Sequence, residues 1–187
     1  MSADQTIVAF AGRRIDAPGT QPPRFPSEAL AAVSTRVETF FDRHAVRTVV
    51  GSCACGVDIL LLEAAAARGF GTRIILPFSI ERFRETSVVD RGAEWGTRYD
   101  KLIARATHDG DVLVLPEGQG SEDDAYDRVT LKIIEETQRI AKRLHARTLA
   151  LAIWDQKARA THDATQDFLN QAKRAKLKTE QLSTLPG

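Results

Sequence analysis

Apolar and polar positions follow two rhythms along this chain. Short, nearly continuous apolar runs predict five strands: "TIVAFAG" (6–12), "VRTVVG" (46–51), "TRIILPF" (72–78), "DVLVLP" (111–116) and "TLALAIWD" (148–155). Between them, apolar residues recur at helical spacing. Leu30, Val33, Val37 and Phe40 mark a first helix, with Ser27 placed to cap it. A second, from about Val57 to Arg68, is apolar almost all round and is expected to be buried, with Gly69 and Gly71 ending it. A third carries Trp95, Tyr99, Leu102, Ile103 and Ala106 on one face; a fourth carries Val129, Ile133, Ile140 and Leu144, and a fifth Phe168, Leu169 and Ala172. The four prolines of "IDAPGTQPPRFP" (15–26) predict an extended, ordered loop, and "EGQGSEDD" (117–124) a polar one.

Strands alternating with helices predict a single α/β domain over 1–187, structured from about 6 to 182. Its sheet is expected to be doubly wound and mainly parallel, with helices on both faces. In such sheets ligands sit beyond the carboxyl ends of the strands. That rule brings Gly12-Arg13-Arg14, the turn "GSCACG" (51–56), Pro77-Phe78-Ser79, Pro116-Glu117-Gly118 and Trp154-Asp155 to one edge.

The GSCACG turn feeds a strand directly into a helix. Gly51, Ser52, Cys53, Ala54 and Gly56 are small enough for backbone N–H groups to approach an anion, which the helix dipole favours. Val57 follows Gly56 where a P-loop has lysine, so the turn is not a Walker motif. Arg13 and Arg14 are placed to neutralise a phosphate, and Asp58 to cap the helix or hold a ribose hydroxyl. On this reading Gly56→Val abolishes binding in a protein that still folds. The cysteines read as small turn residues, with a reactive thiol at the helix start as the alternative. A C-x-C pair without matching histidines predicts no metal site, and no cofactor is expected. Glu63 interrupts an apolar helix, so its carboxylate needs a partner or a polar pocket. Thr165 and Asp167 open the last helix as caps or as ligand contacts.

Charge changes the picture in one respect. The formal net charge is +1 and aromatic residues are 6%, so any anion site must be local, and DNA is argued against as a partner. No apolar run approaches the roughly 20 residues of a membrane span, and no signal peptide opens the chain. Cysteines one residue apart make a poor disulfide. A cytoplasmic location without membrane contact is expected.

Several stretches together resemble the SLOG superfamily of Rossmann-like proteins, which includes cytokinin-activating phosphoribohydrolases and DNA-processing proteins. The likeness is to its standalone or TPR-linked bacterial branch. It is carried by Gly12 with Asp16 and Pro18; Arg24-Phe25-Pro26; Ala54, Gly56, Asp58, Ile59, Leu60 and Glu63; Leu76-Pro77-Phe78; Phe83, Ser87, Val88 and Trp95; and Trp154-Asp155. Arg13 stands where that family usually has histidine, and Ala164-Thr165-Gln166-Asp167 where it has "GTAD". The phosphoribohydrolase signature is absent, with Glu117 in place of a glycine. The resemblance implies a pocket for a nucleotide or nucleotide-derived ligand, used by a sensor or signalling module with an effector protein and a homo-oligomeric state. The alternatives are an N-glycosidic hydrolase, in which Glu63 or Glu117 would supply the carboxylate, and a dimeric scaffold without ligand.

Overall fold

The computed structural model describes residues 5–118 and 120–185. Gln119, in the polar loop, and the outer ends of the expected domain lie outside them. Strands β1 (Thr6–Gly12), β2 (Val46–Gly51), β3 (Gly71–Leu76), β4 (Val112–Val114), β5 (Arg147–Trp154) and β6 (Lys178–Ser183) form one sheet. Its order is β4-β3-β2-β1-β5-β6, and every pairing is parallel. The chain starts at the centre, steps outward to β4, and returns to lay β5 against the other side of β1. The strand order therefore reverses between β1 and β5, which opens a crevice at their carboxyl ends.

The two-residue period of the central strands sorts their side chains onto two faces. Val8, Phe10, Leu149, Leu151 and Ile153 face α1 (Leu30–Arg43), α2 (Val57–Ala67) and α4 (Ala93–His108). Ile7, Ala9, Ala150, Ala152 and Trp154 face α5 (Glu122–Leu144) and α6 (Ala164–Arg174). Alanines on the second face leave room for α5 to lie across the centre of the sheet. α2 packs against α1, α4 and the sheet, which explains an apolar pattern running almost all round it. α5 opens on a capping box: the Ser121 hydroxyl accepts from the Asp124 N–H, and the Asp124 carboxylate accepts from the Ser121 N–H.

The sheet and its two helical faces match the expected fold, with two additions. The polar helix α3 (Ile80–Ser87) and the polar edge strand β6 carry too few apolar residues to show a period. Ser27 does not cap α1. It begins a 3-10 turn (Ser27–Ala29) and its hydroxyl donates to Glu28 instead. Among the described residues no helix is long and apolar enough to cross a membrane.

Gly51 ends β2 beneath the Phe10 ring, where an added Cβ would lie 2.3 Å from ring carbons. Gly51→Ala should therefore cost about 1–3 kcal/mol by overpacking. A urea titration showing an unchanged midpoint would remove Phe10 as the reason for this glycine.

Candidate functional site

The crevice at the strand reversal is built around Arg13. Its side chain is 4% exposed, yet it carries a full charge. Nε donates to Asp155 Oδ1 at 2.7 Å, Nη1 to Asp163 Oδ1 at 2.9 Å, and Nη2 to the Lys157 carbonyl at 2.8 Å. The guanidinium also lies over the Trp154 ring, 5.1 Å from its centroid. Arg24 adds a second cation to Asp155 at 3.2 Å. Asp163 caps α6 by accepting from the N–H groups of Thr165 and Gln166. Arg13 and Asp155 were expected to meet a ligand, and instead they bind each other. The cap of α6 is Asp163, not Thr165 or Asp167.

The GSCACG turn is also filled from within. The Ala54 N–H donates to the Asp58 carboxylate, the Cys55 N–H to the Ser87 carbonyl, and the Val57 N–H to the Arg13 carbonyl. An added Cβ at Gly12 would meet Val57 at 2.3 Å. At Gly56, where φ is +103°, it would meet the Ile15 nitrogen at 2.5 Å. These glycines admit neighbouring protein segments, so Gly56→Val would damage the fold rather than only empty an anion site. Cys53 and Cys55 are wholly buried. Burial, followed by the Asp58 and Glu63 charges, pushes the Cys53 thiol well up, and burial raises Cys55 as well. This removes the reactive-thiol reading and leaves both as small packing residues.

Beneath the first half of α5 these segments leave a cavity of about 130 Å³. Gly12, Arg14, Ser52, Ala54, Asp58 and Thr165 line it, all six expected from sequence. Tyr126, Val129, Thr130, Ile133 and Phe83 line it too, none of them singled out for the site beforehand. Tyr126 is fixed by a 2.8 Å hydrogen bond between its hydroxyl and that of Ser87, and by edge contact with Phe78. The Ser52 hydroxyl and Arg14 Nε are buried without a hydrogen-bond partner among the described residues. Buried donors of this kind are rare unless something outside the chain satisfies them. Burial, opposed by the Ala54 N–H and Arg14, pushes the Asp58 carboxyl up to about 7.

Glu63 finds a partner rather than a pocket: Arg98 grips it at 2.9 and 2.5 Å. Glu117 is exposed and meets Arg82 at 3.3 Å. Neither lines the cavity, and nor does Pro77. His162 ties the β5–α6 loop to α5 through Asp127 at 2.9 Å and Asp123 at 3.4 Å, with Asp167 of α6 at 3.1 Å. The Asp127 hydrogen bond and the surrounding carboxylates raise its imidazole above the ordinary value.

No protein-family profile and no curated protein sequence matches the chain. Among solved structures, DNA processing protein A (DprA) from Streptococcus pneumoniae aligns with a TM-score of 0.40 at 13% identity. The alignment covers 92% of this chain and 57% of that one, so this chain spans little more than half of DprA's length.

Two outcomes test the site's construction. Hydrogen bonds from Arg13 and from the Arg159 and Gln166 N–H groups outweigh burial and hold Asp163 at about 2, against 3.8 for a free side chain. Its contribution is present above about pH 4 and lost as pH falls through about 2, costing about 2 kcal/mol across that window. Urea midpoints at pH 2, 3 and 4 should show that loss, and Asp163→Asn should lack it. Secondly, neither cysteine should react with a thiol reagent until the protein is unfolded. Rapid native-state labelling would mean the turn opens.

Proposed function

We propose that this chain is a binding module for a nucleotide or nucleotide-derived ligand, seated where the strand order reverses and read as a signal rather than turned over. The observation that carries the reading is the pair of buried, unpartnered polar atoms, Ser52 Oγ and Arg14 Nε, on a cavity at that crevice. Ser52, Thr130, Thr165 and Tyr126 offer hydroxyls suited to ribose or base edges, and apolar Val129, Ile133 and Phe83 suit a base face. Its 130 Å³ is less than the roughly 300 Å³ at which small-molecule sites begin, so it holds part of a ligand.

Asp58 is the carboxylate among its lining residues. A hydrolytic reading would therefore run through Asp58 rather than through Glu63 or Glu117, which face other partners. The near-neutral whole-chain charge does not set DNA aside, because arginines cluster locally beside this cavity. Steep weakening with salt over a long single strand would favour that alternative.

Small molecules released from the denatured protein, identified by mass spectrometry, and calorimetry with nucleoside monophosphates test the proposal together. Intact ligand at near-stoichiometric yield, or saturable binding, is the expected result; free base with ribose phosphate would move the reading to hydrolysis. No ligand and no binding across the panel would sink it. Because Asp58 loses its charge as pH falls through about 7, an anionic ligand of constant charge, such as a cyclic nucleotide, should bind tighter at pH 6 than at pH 8. Asp58→Asn should abolish that difference, and its persistence in the variant would assign it to another group.

A further inference from the structure

On the far side of Arg14 lies a second cavity, of about 290 Å³, whose lining is cationic. Arg14 and Arg24 reach it from the β1–α1 loop, Arg91 from the 3-10 turn Val89–Arg91, and Arg159 from the β5–α6 loop. Three segments distant in sequence thus direct guanidiniums into one space. Such crowding is unfavourable unless negative charge answers it.

The nearby carboxylates are already engaged. Asp16 is in the lining, but its Oδ2 accepts from the backbone N–H groups of Arg24 and Phe25. Asp90 is shared between Arg14 and Arg91, and Asp155 between Arg13 and Arg24. Asp163 is taken by Arg13 and the end of α6. The Arg159 guanidinium has no ion pair among the described residues. Arg159 is exposed, and partial desolvation with the charges of Arg13 and Arg24, opposed by those of Asp163 and Asp155, lowers it below its ordinary value. The Nε atom of Arg91 is buried without a partner among the described residues, as is that of Arg14, a residue shared with the smaller cavity. A guanidinium without an ion pair and residues with unsatisfied donors thus border one cavity.

We infer that this arginine cavity is a site for a phosphate monoester, with Arg14, Arg91 and Arg159 donating to its oxygens and Arg24 closing the wall toward Asp155. Planar guanidinium forks match phosphate geometry, and several of them suit a dianion better than a lone carboxylate. This places the anion beyond the β1 loop instead of on the GSCACG turn, whose Ala54 and Cys55 N–H groups, like that of Val57 just after it, are spent within the protein. Arg14 lines both cavities, so a phosphate held here could belong to the ligand whose nucleoside part fills the smaller one. In that respect the inference rests on the proposed function; as a site for free sugar phosphates it stands without it.

Calorimetry with inorganic phosphate, ribose 5-phosphate and a series of nucleoside 5′-monophosphates, on the full chain and on Arg159→Gln and Arg91→Gln, tests the site. Arg159 has no ion pair to break, so its variant should fold even if Arg91→Gln does not, and circular dichroism verifies this. Ribose 5-phosphate should bind, weaken at least tenfold in Arg159→Gln, and lose affinity as salt rises. Unchanged affinity in a folded Arg159→Gln variant, or no binding of any phosphate, overturns the site. If sugar phosphate and nucleotides bind equally and both need Arg159, the phosphate site holds while the nucleotide reading fails. If nucleotides bind with no dependence on Arg159 or Arg91, the nucleotide reading holds and the phosphate site fails.

Discussion

The arrangement of the whole edge depends on one buried cation. Arg13 leaves the central strand at the point where the strand order reverses, and it is held by carboxylates from beyond β5. Removing either partner would strand a charge away from water, a far larger penalty than the intact network is worth as stabilisation. The network therefore acts mainly by specifying geometry. It fixes the first loop against the last and orients α6 through its cap.

Two adjacent arginines thereby take opposite roles. Side chains alternate in direction along an extended segment, so Arg13 turns inward to Asp155 and Asp163 while Arg14 reaches the cavities. Nothing in the dipeptide itself says which is which. The answer comes from residues some 140 positions away in the chain, and long-range pairing of that kind leaves no local trace.

The legible parts of the fold are those that hydrophobic burial writes into a periodic pattern. The inner residues of β1, β2 and β5 are apolar on both faces, and α4 and α5 show clear stripes, so their existence and type follow from sequence. β6 sits at an edge with no residue fully buried, and α3 buries little beyond Phe83 and Ser87, so neither needed a pattern. The site divides in the same way. Ser52, Asp58 and Arg14 could be found because a strand end must deliver them to the edge. Tyr126 and Thr130 could not, since their place follows from how α5 recrosses the sheet. Arg91 and Arg159 lie in irregular segments whose course only tertiary contacts decide.

The tight turn after β2 has a consequence for how relatives of this chain should be compared. Gly12, Gly51 and Gly56 each exclude a side chain because protein atoms occupy its space. Their retention through evolution would thus track foldability and persist in lineages that have lost every ligand. Variation among Arg14, Arg91 and Arg159 carries the opposite information. If they hold a phosphate as proposed, they should drift together once selection on binding is relaxed, so correlated loss at these three positions, rather than decay of the glycine motif, would mark lineages that keep only the scaffold.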